Sequence, residues 1–412
     1  LQQPIASKYH LQSCLEFGTE TEPVSQKYAP NPFEHIAAHL DLSTTHPGYD
    51  TRRIEAEPER KPKAARTSPV EELEYMLSDD FIDPLEKYEG AAIRLYNKED
   101  VFTAIEAGET KDPESQAKHL RIIKKLVSHG QFRKLVGIDD DFFFCLRALQ
   151  DEYEQFVEVT KYIAGCAMVA RHHRDRVLRM APIILIGEPG TGKTEFSVQL
   201  SKVLRTRFKK IDMGAAQNNS DLAGSSSFYI NSSPGKIFML LTEGAPGDPV
   251  GNPLIVLDEL DKASGMSKND GSDLTAPLLT LLERHAAEQF VDLCVDIPVD
   301  VSNYLYIATC NDPEMVSRPL RSRFREFHIT LDEDQKRRIA VRITNRLLDE
   351  LPTVDIAFHP SAIDKLTALD SPRLVKQYAS EAVGNALIAQ RDIVLPTDFK
   401  SSPSIRQKMG FI

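Results

Sequence analysis

The residues with the most direct chemical reading lie in Gly187–Thr194, GEPGTGKT. They match G-x-x-x-x-G-K-[ST]. In that spacing backbone N–H groups curl around phosphate oxygens, the lysine reaches the β- and γ-phosphates, and the Ser or Thr hydroxyl ligates Mg²⁺. Read this way, Gly187, Glu188, Pro189, Gly190, Thr191 and Gly192 form a phosphate cradle, Lys193 supplies its cation and Thr194 is a metal ligand. ATP and Mg²⁺ are the implied ligands. The alternative, a glycine-rich turn with no ligand, is disfavoured by the apolar run APIILIG directly before it. A second apolar run, Pro253–Ala263 (PLIVLDELDKA), carries two carboxylates at its end. Asp258 suits a carboxylate that holds Mg²⁺ through water, and Glu259 one that orients or deprotonates the attacking water. Hydrolysis rather than binding alone is therefore expected. Asn311, at the end of YLYIATCND, could hydrogen-bond the γ-phosphate or that water, although an Asn in such a place is ordinarily a turn former. The stretch RPLRSRFRE, 318–326, holds four arginines, read either as a solvated face or as donors to the charge that builds up in phosphoryl transfer.

These groups need strands to carry them. IILIG, FKKIDM, LIVLD, YLYIAT and EFHIT are short β-branched or apolar runs bounded by Gly, Pro, Asn or Asp. Their alternation with helical text predicts an α/β fold, a parallel sheet with helices on both faces. From Glu333 the text is helical again (DEDQKRRIAVRITNRLLDEL, HPSAIDKLTAL, SPRLVKQYASEAVGNALIAQRD) and reads as a small helical lid. Upstream, VEELEYML, NKEDVFTAIEAG and ESQAKHLRIIKKLVSHG have helical periodicity, and 140–174 reads as one long helical stretch. Residues 1–66 are proline-rich, with the charged run EAEPERKPKAAR near their end, and read as a partly extended arm and linker. The expected divisions are 1–66 arm and linker, 67–139 helical N-terminal region, 140–332 nucleotide-binding α/β domain and 333–412 lid.

Composition narrows the class. The chain has 412 residues, 41% hydrophobic and 27% charged, with a net charge of −11, which fits an ordinary globular protein of two or three domains. No run approaches the length of a membrane span, and the opening LQQPIASKYH, which starts at Leu1 rather than Met, has no secretory pattern. Cys14, Cys145, Cys166, Cys294 and Cys310 form no CxxC pair, so neither a disulfide framework nor a structural zinc site is expected, and the cytoplasm is the default compartment. The adjacent pair His172–His173 points in different directions on a helix and makes a poor metal pair. Cys310 reads as a small buried hydrophobe. The FFFC run at 142–145 reads as core or as a wall of an adenine pocket.

In order, the phosphate loop, LDELD, ATCN, the RSRF arginine and SPRLVKQ resemble an AAA+ ATPase, and within that superfamily the ATPase module of Lon proteases. FYINSSPGKI (228–237), LDELDK and DIPVDVSNYLYIATCN are similar to Lon-type stretches, and the resemblance covers about 140–399. It implies an AAA+ P-loop body followed by a helical lid. It also implies Asn311 as sensor 1 and Arg323 as an arginine finger acting on a neighbouring subunit, with Arg321 and Arg318 as fallbacks. Arg373 becomes the sensor-2 arginine, and Phe228, Tyr229 and Ile230 a pore loop that grips polypeptide. Departures accompany it: Asn231, Ser232 and Ser233 replace the expected glycine and apolar residue, and NNSDLAGSSS is unlike Lon. Nothing after Arg373 has room for a Lon protease domain, so the expectation is a Lon-like ATPase without its own protease.

The resemblance implies a homo-oligomeric ring, a hexamer, that remodels or translocates a polypeptide substrate or partner protein. Read from the residues, the Phe228–Tyr229–Ile230 cluster could grip an extended chain or simply plug the core. The competing reading is an ATP-driven loader or switch on nucleic acid, in a mobile-element or phage-defence complex. Its support is RHHRDRVLR (171–179) and KRRIAVRITNR (336–346), which otherwise read as solvated faces or subunit contacts. Against it, 213–250 holds Asp221, Glu243 and Asp248 against only Lys236, and 285–304 holds Glu288, Asp292, Asp296 and Asp300 with no Lys or Arg. Phosphates would be repelled there. A third reading is a non-threading scaffold that assembles on ATP and recruits partners through residues 1–140.

Overall fold

The computed structural model describes residues 68–215, 219–226, 231–263, 275–369 and 371–399. The expected arm, 1–66, and the expected pore residues Phe228, Tyr229 and Ile230 lie outside them. The chain begins its described part with helix α1 (Pro69–Leu77), opened by a reciprocal cap between Ser68 and Glu71. Strand β1 (Ala92–Arg94) and helices α2 (Lys98–Gly108) and α3 (Pro113–Val127) follow. Asp112 caps α3 by accepting the N–H groups of Glu114 and Ser115, with Pro113 at the first position where no N–H is needed. Strand β2 (Phe132–Lys134) pairs antiparallel with β1. At three residues each, these strands are too short to leave a periodic signal, so the purely helical text expected here conceals a ribbon.

The stretch 140–174 is two helices, not one. Helix α4 (Phe142–Glu152) and helix α5 (Val157–Arg171) are separated by a 3₁₀ turn at Glu154–Phe156. The five expected strands then form one parallel sheet. They are β3 (Ile183–Ile186), β4 (Phe208–Asp212), β5 (Leu254–Asp258), β8 (Leu305–Cys310) and β9 (Arg325–His328), in the order β4-β5-β8-β3-β9. A small antiparallel pair, β6 (Phe290–Val291) with β7 (Pro298–Val299), was not legible for the same reason as the ribbon. Every residue of the inner strands β3, β5 and β8 is buried, as expected of a sheet covered on both faces. The edge strands β4 and β9 are only partly buried.

Two apolar clusters sandwich the sheet. One contains Phe142, Cys145, Phe156, Ile163, Ile183, Phe196, Leu200, Val256 and Ile307, so in the FFFC run at the head of α4 Phe142 and Cys145 are core, Phe143 packs against them and Phe144 is exposed. Phe156 and Phe196 stack with centroids 4.2 Å apart. The other runs unbroken from Leu73, Leu95 and Ile123 to Ile255, Leu257 and Tyr306, which joins the segment 69–134 to the sheet in one core. Arg133, 1% exposed, bridges the two: its Nε donates to Leu241 O at 3.0 Å and its Nη1 to the carbonyls of His129, Gly130 and Phe132. Helices α8 (Glu333–Asp349), α9 (Pro360–Thr367) and α10 (Pro372–Ile388) close a third cluster of their own around Ala340, Leu366, Val375 and Ala382. They are joined by a short parallel pair, Ala357–Phe358 with Ile393–Val394.

Candidate functional site

The parallel register sets the ends of β3, β5 and β8 side by side, where a doubly wound sheet presents its ligand crevice. Gly187 follows β3, and its N–H donates to Cys310 O on β8 at 3.1 Å. Gly190 and Gly192 then adopt φ of +84° and +89°, which side chains rarely tolerate. At Gly190 space forbids a side chain as well, since a Cβ would lie 2.4 Å from Ser371 Cβ at the head of α10. The loop thus turns its amides toward the start of helix α6 (Lys193–Val203).

Lys193 is 6% exposed and donates to Gly187 O at 2.7 Å, Glu188 O at 2.9 Å and Asn311 Oδ1 at 3.1 Å. Burial lowers the pKa of its ammonium from the ordinary lysine value, opposed by the fields of Cys310, Asp261, Asp258 and Glu188. The Thr194 hydroxyl donates to Asp258 Oδ1 at 2.8 Å, Thr309 Oγ1 reaches the same oxygen at 2.6 Å, and Lys210 Nζ sits 2.6 Å from Oδ2. Burial works against an ionised Asp258, but the hydrogen bonds from Lys210, Thr309 and Thr194 outweigh it and hold the carboxyl below its ordinary range. Two hard oxygens, one on an ionised carboxylate, therefore meet at one point beside a phosphate loop. That donor chemistry fits Mg²⁺, with Thr194 and Asp258 as the residues that would hold it.

Glu259 follows β5 with φ +56°, and its side chain pairs with Lys262 at 2.5 Å. Helix α7 (Leu260–Ala263) carries Asp261, whose Oδ2 accepts the N–H groups of Asn311 at 3.3 Å and Asp312 at 3.2 Å. Cys310, the last residue of β8, is fully buried and its thiol is pushed up to about 12 by burial, which suits the small hydrophobe expected.

These groups share one cleft of about 980 Å³ with the lid. Its lining includes Arg373, Arg342 and Arg346 from the lid and Tyr153 and Gln155 from the body. The cleft brings Lys193, Thr194, Asp258, Glu259, Asn311 and Arg373 together. It does not contain Arg318, Arg321 or Arg323. Arg321 is tied to Glu326 at 2.5 Å and Glu314 at 3.0 Å, Arg323 donates to Pro319 O at 2.7 Å, and Arg318 is exposed. Sequence reasoning missed Lys210, Thr309, Gln155 and the lid arginines. Lys210 stands in an ordinary edge-strand position and Thr309 within an apolar strand, so neither carries a local mark. Three arginines of the basic run of α8 reach the body: Arg346 pairs with Glu152 at 2.6 Å, Arg338 with Glu154 at 2.8 Å, and Arg342 with Glu154 at 3.5 Å. In the other basic run Arg179 pairs with Asp175 and Arg176 with Asp140. No cluster of three or more His, Cys, Asp or Glu that could hold a metal occurs among the described residues.

Residues 183–332 match the family described as "ATPase family associated with various cellular activities (AAA)". The Lon protease of Lachnoclostridium phytofermentans is 34% identical over 172 residues, 41% of this chain and 20% of that protein. Lon protease 2 of Thermus thermophilus is 27% identical over 237 residues, 58% of this chain and 28% of that one. The mitochondrial Lon protease homolog of Aspergillus fumigatus is 29% identical over 263 residues, 63% and 21%. The chain thus spans under a third of the length of the curated relatives it matches. Among solved structures, the RuvB Holliday junction branch migration motor of Thermotoga maritima aligns at TM-score 0.40 and 18% identity, over 59% of this chain and 66% of that one. That likeness is too distant to bear on function.

Proposed function

Because this chain carries an AAA ATPase domain similar to the ATPase part of Lon proteases, we propose that it hydrolyses ATP in a homo-oligomeric ring, a hexamer, and uses the cycle to remodel or translocate polypeptide. The observation that carries the reading is the meeting of Lys193, Thr194, Asp258, Glu259 and Asn311 at the ends of three adjacent parallel strands. Each has a role that its position supports. The loop 187–192 cradles phosphates through its amides, and Lys193 meets the β- and γ-phosphates in place of the carbonyls it now touches. Thr194 and Asp258 hold Mg²⁺, which when bound neutralises charge on the phosphate oxygens. Glu259 accepts a proton from the attacking water as the water's oxygen bonds to the γ-phosphorus and the bond to ADP breaks. Asn311 orients that water or the γ-phosphate, and Arg373 approaches the same phosphate from the lid.

Arg323 is assigned to the cleft of a neighbouring subunit, with Arg318 as the alternative. Arg321 is the weakest of the three, since two carboxylates of its own chain hold it. Phe228, Tyr229 and Ile230 are assigned to the grip on polypeptide. The same reading keeps the divisions 1–66, 67–139, 140–332 and 333–412 and a cytoplasmic setting. No helix among the described residues is long and apolar enough to cross a membrane. In the lid's basic run, one of the two supports for a nucleic-acid partner, Arg338, Arg342 and Arg346 meet Glu152 and Glu154 within the chain. The test is the steady-state ATPase rate with an unfolded protein, single-stranded DNA or double-stranded DNA added. Stimulation by the unfolded protein alone supports the reading. Salt-sensitive stimulation by DNA replaces it with the nucleic-acid loader.

A further inference from the structure

All six residues of β8 are buried, and Thr309 is 2% exposed. A valine has nearly the same shape, so packing alone does not call for a hydroxyl. Two bonds account for it. Thr309 Oγ1 donates to Asp258 Oδ1 at 2.6 Å and accepts the backbone N–H of Glu259 at 2.9 Å. A hydroxyl has one proton, and an amide N–H can only donate, so the proton must point at Asp258, which as a carboxylate can only accept. The polarity of this pair of bonds is therefore set.

The place of the contact gives it meaning. Strands β5 and β8 pair in register only as far as Leu257 opposite Ala308. One step further the chain of β5 leaves the ladder, because Glu259 has φ +56°, a left-handed conformation unfavourable for a residue with a Cβ. The main-chain partner that Glu259 N–H would otherwise need is supplied by the Thr309 side chain. From the other side, Asp261 returns two bonds to the N–H groups of Asn311 and Asp312. The ends of β5 and β8 are thus stitched in both directions, and Thr309 touches both Asp258 and Glu259.

We propose that Thr309 is a positioning residue for hydrolysis: its one hydroxyl orients the Asp258 carboxylate and holds Glu259 in the left-handed turn from which its side chain serves the attacking water. The inference rests on the ATPase reading above.

The test compares Thr309→Val, which keeps the shape and removes the hydroxyl, with Thr309→Ser, which keeps the hydroxyl, in the full chain. Three quantities are read: kcat and KM for ATP, the affinity for a fluorescent ATP analogue with and without Mg²⁺, and the melting temperature without nucleotide. With Val, kcat should fall about 10- to 100-fold while KM and the Mg²⁺-free analogue affinity stay within about threefold. The extra affinity conferred by Mg²⁺ should shrink, and Ser should restore kcat to within about threefold of the parent protein. Three results overturn the proposal: Val with kcat within threefold of the parent, Ser as impaired as Val, or kcat and Mg²⁺-free affinity falling together. If Val gives no folded protein, Thr309→Ala takes its place under the same readings. A parent protein that hydrolyses no ATP refutes the ATPase reading instead, whereas an active parent with an equally active Val variant refutes only the role of Thr309.

Discussion

Asp258 and Asp292 are both buried carboxylates of the same body, 7% and 0% exposed, yet their surroundings push them in opposite directions. Asp258, at the sheet's ligand edge, is met by an ammonium and two hydroxyls and is held below the ordinary range. Asp292, beside β6, accepts backbone N–H groups, among them Gly235 at 2.7 Å and Cys294 at 2.9 Å, and burial pushes it up to about 6. Burial penalises both charges; at Asp258 an ammonium and two hydroxyls outweigh it, whereas at Asp292 backbone N–H groups alone do not. The difference separates two uses of an aspartate. At the strand ends the carboxylate is held ionised beside the loop 187–192. At Asp292 the carboxylate acts as a double acceptor that fastens Gly235, and Gly224 must be glycine because a Cβ there would lie 2.3 Å from Asp292 Oδ1.

The strand-end region should be the one where small changes in charge cost chemistry rather than folding. Glu259→Gln is expected to lower kcat by about 10²- to 10⁴-fold with nucleotide still bound, read by steady-state ATPase and analogue binding. A fall in binding as large as the fall in kcat would show that Glu259 belongs to the scaffold. Gly190→Ala comes next. Its φ of +84° and the contact with Ser371 oppose any side chain, so affinity for the ATP analogue should drop at least about tenfold. Unchanged affinity would show that the loop and lid can separate freely.

Asp292 is expected to show in stability versus pH, not in kcat. With a folded pKa near 6 against an ordinary 3.8, the folded state binds the extra proton between those values. Its favourable contribution is complete below about pH 4 and is lost as pH rises through about 6, a swing of about 2–3 kcal/mol. Asp292→Asn should therefore gain melting temperature relative to the parent between about pH 4.5 and 7, on top of a constant loss from its amide facing an N–H. Parallel melting curves across that window would remove Asp292 from the comparison. The smallest effect is expected from Lys210→Met. Removing the cation from Asp258 leaves Thr194 and Thr309 in place, and Lys210 is itself half-exposed, so about 1 kcal/mol should be lost, measured by melting without nucleotide. A loss several times larger would mean that the ammonium, rather than the hydroxyls, keeps Asp258 charged.

The lid adds a further contrast. It closes its own core and meets the body through ion pairs from Arg338, Arg342 and Arg346 and through the close approach of Ser371 to Gly190. Three arginines of the basic run of α8 thus meet carboxylates of the body while Arg338 and Arg346 stay half-exposed or more.

Much of this was open to reading in one dimension because the signals are local. Continuous apolar runs mark β3, β5 and β8, since a strand buried on both faces has no polar side to alternate. The glycines of 187–192 and the Lys–Thr pair announce a phosphate loop, since the required backbone turns and the helix start lie within eight residues. Asp258, Glu259 and Asn311 were legible because they stand where such strands stop. What only the folded chain decided is which distant residues face those groups. Thr309 reaches Asp258 from 51 positions away, Thr194 from 64, and Arg338 meets Glu154 across 184. The short antiparallel ribbons, the break between α4 and α5, the pairing of the lid arginines with the body and the opposite fates of Asp258 and Asp292 are of the same kind. Sequence order records the preferences of neighbouring residues for helix, strand and turn; the partners of a buried charge depend on which strands the sheet has set side by side.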